Sequence, residues 1–388
     1  MSYVWNLPTK VLFGPGRVKK LHKEKMPGKK ALLVLSNGRS AKENGTLDTV
    51  SEELRTAGAE IVLYDRIESN PLDTTIMAGV EEARRSGCDF IVGLGGGSVL
   101  DAATVIASVA PQPDGSVWDY ISGGTGGGRR LEKPALPLIE ITTSAGTGSE
   151  VDRWGVVSNA ETEEKIGFRG SFARLAIVDP ELMLTVPPRF TAFQGFDALF
   201  HSVEGFIAVT CNEAAAMVQR EAIRNVARYL PRAVADGSDL EARTGMALAN
   251  TLSGYSMELG SCTSEHAIEH AMSAVHHELP YGAGLIMISL AYFNWFIEHG
   301  ACPDRFIEMA QLMGRTDAAT PGDFTAALRE LQGACGVDDL HMSEYGIKKE
   351  EAEMLAEKAR TTMGGLFQCD PIELPPQGVV EILRASYR

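Results

Sequence analysis

Apolar residues in the first half of the chain fall in short, β-branched runs: Ala31 to Leu35, Glu60 to Tyr64, Asp89 to Leu94 and Leu138 to Thr142. Runs of that length and composition predict buried strands. Between them, Leu47 to Ala57 and Thr74 to Arg85 repeat their apolar positions at helical spacing, as amphipathic helices do. The first three strand candidates start 29 residues apart, which leaves room for one strand and one helix in each interval. The pattern therefore predicts a parallel sheet flanked by helices. At Val186-Pro187-Pro188-Arg189 the texture changes, and the chain beyond reads as almost wholly helical. The expected architecture is an α/β, Rossmann-like parallel-sheet domain over residues 1–186 followed by an all-α domain over residues 187–388.

Composition narrows the function classes. A chain of 388 residues exceeds what one hydrophobic core usually serves, and 44% hydrophobic with 22% charged residues is ordinary for a globular protein. A net charge of -15 speaks against nucleic acid or an anionic membrane as partner, since both demand dense Lys/Arg patches. The longest apolar stretch, Ala283 to Ile297, is too short to span a bilayer and contains Asn294, so it predicts a buried helix. Met1-Ser2-Tyr3-Val4-Trp5 lacks the basic-then-apolar order of a secretory signal, so a cytoplasmic location is expected. Cys88, Cys211, Cys262, Cys302, Cys335 and Cys369 are scattered singly, and we expect small buried hydrophobes without disulfides.

Two polar loops follow strand candidates. Gly95-Gly96-Gly97-Ser98 comes directly after the third, with Asp101 three residues on and an apolar helical pattern to Val109. Glycines let a backbone approach a pyrophosphate closely, and the helix start offers N–H groups and a favourable dipole. Ser98 with Asp101 reads equally as the capping pair of a tight turn. Thr142-Thr143-Ser144-Ala145-Gly146-Thr147-Gly148-Ser149-Glu150 follows the fourth strand and adds hydroxyls at the same sheet edge. The richer Gly123 to Gly128 run follows no clear strand and reads as a flexible loop. The usual dinucleotide fingerprint stands after the first strand, where Ser36-Asn37-Gly38 occurs here, so the fold is a variant.

Five of the eight histidines fall in two places, His201 and then His266, His270, His276 and His277. Asp197 and His201 are four apart, as are His266 and His270, and on helices both spacings put the pair on one face. Asp/His sets of this kind suit ferrous iron or zinc with positions left open for a substrate oxygen. Each pair alone reads as well as a local hydrogen-bonding pair. Together with a dinucleotide loop they suggest a Lewis acid beside a hydride donor, which is the machinery of a reductase.

Phe13-Gly14-Pro15-Gly16, Asn70-Pro71, Gly95 to Ser98 with Asp101, Thr142 to Glu150, Lys165, Asp179-Pro180, Asp197 to His201 and His266 to His270 occur together in one chain. In carrying them the sequence resembles the iron-containing alcohol dehydrogenase family nearly end to end. The resemblance implies interconversion of an alcohol and an aldehyde or ketone by hydride transfer with NAD or NADP. It implies a divalent metal, Fe2+ first and Zn2+ as the alternative, a small-molecule alcohol or aldehyde as substrate, and a homodimer. Carried over by position, Asp197, His201 and His266 are metal ligands and His270 a catalytic proton-relay group. Gly96, Gly97, Ser98, Asp101, Thr142, Thr143 and Thr147 line the cofactor, with Asn70 and Lys165 beside it; both also read as ordinary surface residues.

The chain departs from the family where relatives read His-Pro-x-Leu-Pro-His-Gly and this sequence has His276-His277-Glu278-Leu279-Pro280-Tyr281-Gly282. Tyr281 holds the fourth ligand position. Tyr281 itself as ligand, His277 swinging in, and a weaker three-ligand site are the open readings, the last preferred. Ser36 and Asn37 bring no carboxylate to the first strand's end, so NADP(H) should be tolerated unless Asp65 restores discrimination. The competing functions are a lyase resembling dehydroquinate synthase, which needs a basic cluster not found here, and a non-catalytic nucleotide-binding relative.

Overall fold

The computed structural model describes residues 3–388; Met1 and Ser2, the start of the stretch read for a secretory signal, lie outside them. The described residues divide into two compact units, one made of Leu7–Ser144 with Ser149–Thr185, the other of residues 3–6, Ala145–Gly148 and Val186–Arg388.

The first unit is a six-stranded parallel sheet with helices around it. Its strands are β1 (Lys10–Phe13), β2 (Lys30–Ser36), β3 (Glu60–Ile67), β4 (Phe90–Gly95), β5 (Leu138–Thr142) and β8 (Leu175–Val178), in the order β1-β8-β5-β4-β2-β3. The four β-branched runs form β2 to β5, and the two short strands β1 and β8 complete the sheet beyond β5. Helices α1 (Ser40–Glu43), α2 (Thr46–Thr56), α3 (Asp73–Ser86) and α4 (Gly97–Val109) connect them. The chain runs outward from β2 to β3, then returns to β4 on the other side of β2 and proceeds outward again. The order thus reverses between β2 and β4, and the crevice at such a reversal, beyond the carboxyl ends of the strands, is where open α/β sheets bind ligands. Ser36 and Gly95 end those two strands.

A two-stranded antiparallel hairpin, β6 (Trp154–Asn159) and β7 (Glu164–Arg169), interrupts this pattern. The Gly123 to Gly128 run, read above as flexible, is instead bonded in place: Gly126, Gly127 and Gly128 donate backbone N–H groups to Gly123, Trp118 and Ile121, and Thr125 binds the Glu164 carboxylate through its N–H and its hydroxyl.

The second unit is helical: α5 (Pro188–Ile207), α6 (Glu213–Ala235), α7 (Leu240–Leu259), α8 (Ser264–Val275), α9 (Tyr281–Glu298), α10 (Pro303–Leu312), α11 (Gly322–Ala334), α12 (Ala352–Phe367) and α13 (Pro376–Ser386). Its core is aromatic, with Phe293 packed against Phe200, Tyr292, Phe306 and Phe324. The apolar stretch Ala283 to Ile297 forms most of α9, as expected, and no helix of the described residues is long and apolar enough to cross a membrane. All six cysteines are free.

Ala145–Gly148 packs with the helices although it follows β5. Asn250 on α7 explains this, since its Oδ1 accepts from Gly146 N at 2.7 Å and Gly148 N at 2.9 Å. Gly148 has φ of +68°, and an added Cβ would meet Gly254 N at 2.4 Å. Only glycine fits there. Asn250→Ala would leave two buried N–H groups unpaired, and we expect a loss of about 3 kcal/mol, read as a lower unfolding midpoint of the helical unit. A midpoint unchanged from the parent would contradict this anchoring.

Candidate metal centre and cofactor loops

The cofactor candidates of the α/β unit collect at the carboxyl edge of the sheet. Gly95 pairs in register with Thr142, so the loops after β4 and β5 are neighbours, and Thr143 N donates to Gly95 O at 2.9 Å. Helix α4 begins at Gly97, with Gly96 as its N-cap and no side-chain cap, so Ser98 lies inside the first turn. The capping-pair reading of Ser98 with Asp101 is thereby corrected. Backbone N–H groups in the first turn of a helix have no partner within the helix and suit an anion. A Cβ on Gly96 would stand 3.0 Å from Ser144 Oγ, so glycine keeps this corner tight.

Asp101 is used inside the protein. Ser149 Oγ donates to its Oδ1 at 2.9 Å and Val156 N to its Oδ2 at 3.1 Å, which ties the end of the polar turn and the β6–β7 hairpin to α4. Thr142 spends its hydroxyl on Ser144 O. Thr143 and Thr147 remain half-buried, Thr147 with the helical unit. Asn70 and Lys165 are buried rather than surface residues, 8% and 3% exposed. Ser158 pairs with Lys165 across the hairpin, and Ser158 N donates to Pro71 O. The Asn70 turn, with Asn70 at φ of +52°, is therefore tied to the strand that carries Lys165.

In the helical unit, Asp197 and His201 stand one turn apart on α5, and His266 and His270 one turn apart on α8. Helix packing brings the two pairs together. Asp197 Oδ1 lies 3.8 Å from His201 Nε2 and 3.7 Å from His266 Nε2, and the two imidazoles stack with centroids 4.5 Å apart. All three residues are at most 4% exposed. These separations exceed a hydrogen bond, and Asp197 Oδ1 and His266 Nε2 have no hydrogen-bond partner. Two donors each about 2.1 Å from one ion at a tetrahedral angle would lie about 3.4 Å apart. A buried carboxylate and imidazole with unfilled, converging atoms, and a second buried imidazole beside them, fit a divalent cation.

Glu204, one turn beyond His201, orients this set. Its Oε1 binds His266 Nδ1, and its Oε2 accepts from Thr263 N at 2.7 Å and Thr263 Oγ1 at 2.8 Å at the start of α8. A carboxylate that holds the His266 proton on Nδ1 would leave Nε2 to ligate an ion that displaces any proton there. Burial lowers the pKa of His201 to about 4, against the charge of Asp197, so its imidazole is neutral as a ligand must be. At His266 burial works in the same direction, but Cys262 and Glu204 outweigh it and raise the pKa well above the ordinary value.

Tyr281 opens α9 and turns to His270: its hydroxyl is 3.0 Å from His270 Nε2. Burial raises its pKa well above 10, which keeps the phenol neutral. His276, which the sequence grouped with the others, instead binds Glu351 at 2.8 Å. Among the described residues, the set of three histidine, cysteine or carboxylate donors within 4.8 Å of one another is His201, Cys262 and His266, without His277. Sequence reading thus missed Glu204 and Cys262. Glu204 had a signal, since Asp197, His201 and Glu204 recur at helical spacing as polar positions of a largely apolar helix. Cys262 precedes α8, where no helical period could single it out.

The model of the iron-containing alcohol dehydrogenase family matches residues 8–180, and that of the family's C-terminal region matches residues 191–387. The chain belongs to the iron-containing alcohol dehydrogenase family. A 1,3-propanediol dehydrogenase of Klebsiella pneumoniae is 34% identical over 98% of both chains. An NAD-dependent methanol dehydrogenase of Bacillus methanolicus is 31% identical over 97% of this chain and 98% of its own. Among solved structures, an archaeal alcohol dehydrogenase from a Red Sea brine pool superposes with a TM-score of 0.94 at 34% identity, covering 100% of this chain and 99% of the other. For this iron-containing alcohol dehydrogenase the expected parallel-sheet and all-helical parts are both present.

The start of α8 carries a second buried acid. Asp370 Oδ1 accepts from Ser264 N at 2.9 Å and from the Tyr292 hydroxyl at 3.3 Å, and burial pushes its pKa up to about 7 despite these bonds. The folded state then keeps a proton that the unfolded chain gives up near pH 4, so the stability from Asp370 is complete below about pH 4 and is lost as pH rises through 7. Unfolding free energies of the parent should fall, relative to Asp370→Asn, by up to about 1.4 kcal/mol per pH unit across that window. Parallel pH profiles for the two proteins would refute the raised pKa.

Proposed function

We propose that the protein interconverts a small alcohol and its aldehyde or ketone by hydride transfer with NAD(H) or NADP(H), with a divalent metal held by Asp197, His201 and His266. The observation that carries this reading is the buried carboxylate and imidazole set with unfilled, converging donor atoms. It stands in a chain whose relatives, matched over nearly their full length, are dehydrogenases. These relatives disfavour the lyase and non-catalytic readings. A bound cation supplies Lewis acidity to the substrate oxygen, and a bound nicotinamide supplies or takes the hydride.

The chain's own groups do the rest. Gly96, Gly97 and Ser98 offer backbone room and helix-start donors to the pyrophosphate, while Thr142, Thr143, Asn70 and Lys165 complete the cofactor surface of the α/β unit, and Asp101 holds the loops that carry it. Glu204 keeps His266 in the ligating tautomer. His270 and Tyr281, bonded to each other, hold the proton that an aldehyde needs on reduction, at either Tyr281 Oη or His270 Nε2. The preferred three-ligand reading keeps Tyr281 in this role. Asp65 is paired with Lys42, which offsets the charge that would reject a 2′-phosphate, so NADPH is accepted beside NADH. A cytoplasmic homodimer without nucleic-acid or membrane partners is the setting this function implies.

The test is a panel of aldehydes with NADH and NADPH before and after chelation. Oxidation of the reduced cofactor should stop on metal removal and return with added Fe2+ or Zn2+. Gly96→Val should lose cofactor binding in fluorescence titration. An inert protein in the presence of either metal, or full activity after chelation, would overturn the assignment.

A further inference from the structure

The family's fourth imidazole is replaced by Tyr281, yet the cluster still contains a fourth donor. Cys262 lies immediately ahead of α8 and is 8% exposed, and one donor atom from each of His201, Cys262 and His266 falls within 4.8 Å of the other two. Asp197 Oδ1 reaches both imidazoles and, like His266 Nε2, is buried without a hydrogen-bond partner. His266 thus belongs both to the Asp197 contact and to the set that holds the sulfur. Tyr281 is bonded to His270, and His277 is outside the cluster.

Resting on the metal-site reading above, we propose that Cys262 is the fourth protein ligand, a thiolate that takes the place of the missing imidazole. Its position is fixed by the same contacts that set His266, since Glu204 binds both His266 and Thr263, the residue after Cys262. Binding replaces the thiol proton with the divalent ion, and that proton leaves to the buffer, with no change in oxidation state. One sulfur, two imidazole nitrogens and one carboxylate oxygen make a softer donor set than the histidine-rich one it replaces, and thiolate favours zinc over harder ions. The remaining cysteines, Cys88, Cys211, Cys302, Cys335 and Cys369, belong to no such set among the described residues.

The experiment is Co2+ loading of the full-length protein, followed by absorption spectroscopy. Visible d–d bands report that the ion occupies a low-symmetry protein site; a sulfur-to-cobalt charge-transfer band in the near ultraviolet reports thiolate ligation. The parent and Tyr281→Phe should show both. Cys262→Ser and Cys262→Ala should keep the d–d bands, lose the charge-transfer band and hold Zn2+ about tenfold or more weakly in chelator competition. Visible bands without charge transfer in the parent, or charge transfer that survives in both Cys262 variants, would overturn the thiolate ligand and leave the Asp197, His201 and His266 site standing. Absence of all cobalt bands from the parent would overturn that site as well. Loss of both bands in Tyr281→Phe would make the tyrosine the ligand and the proposal wrong.

Discussion

Placing Asp197 between two imidazoles, away from water and without a hydrogen bond to either, is the constraint around which the helical unit is arranged. A buried carboxylate whose oxygen lacks a hydrogen-bond partner costs several kcal/mol, and imidazoles at 3.7 and 3.8 Å make no hydrogen bond to it. A divalent cation converts the same arrangement from a cost into a binding site, because its charge replaces the water that burial removed. The requirement also explains why the neighbouring residues are so fully engaged. Two neighbouring groups are held elsewhere: His266 Nδ1 by Glu204, and the Tyr281 hydroxyl by His270.

The start of α8 is where this order is built. An ordinary helix of this kind is capped by its own preceding side chain, but Thr263 makes no such cap. Two carboxylates from distant segments take over, Glu204 on Thr263 N and Asp370 on Ser264 N. Negative charge at a helix start is favourable in itself. Here it also fixes the rotation of α8 about its axis, and with it the directions of Cys262, His266 and His270. Local capping and functional geometry are thus the same set of bonds.

Much of this was written in the sequence, in the parts where a single element decides the matter. Buried strands β2, β4 and β5 announced themselves as apolar runs because parallel strands covered on both faces need apolar residues throughout, whereas β3, read the same way, is a partly exposed edge strand. The Asp197/His201 and His266/His270 pairs followed from helical spacing. What could not be read depends on residues far apart in the chain. Strands β1 and β8 are four residues each, too short to show a pattern, and the β6–β7 hairpin alternates weakly around Gly155 and Gly167. Ala145–Gly148 sits with the helices because of Asn250, about a hundred residues later in the chain. A lone cysteine reads as a small hydrophobe until folding sets it beside two histidines.

The central claim is that one ion binds at Asp197, His201 and His266. Anomalous diffraction from crystals of the metal-loaded protein, recorded on both sides of the absorption edge of the added Fe2+ or Zn2+, tests it most directly. The account predicts a strong peak about 2.0 to 2.2 Å from an oxygen of Asp197 and from one nitrogen each of His201 and His266. A peak at His276 and Glu351 instead, or no peak within reach of Asp197, would contradict it.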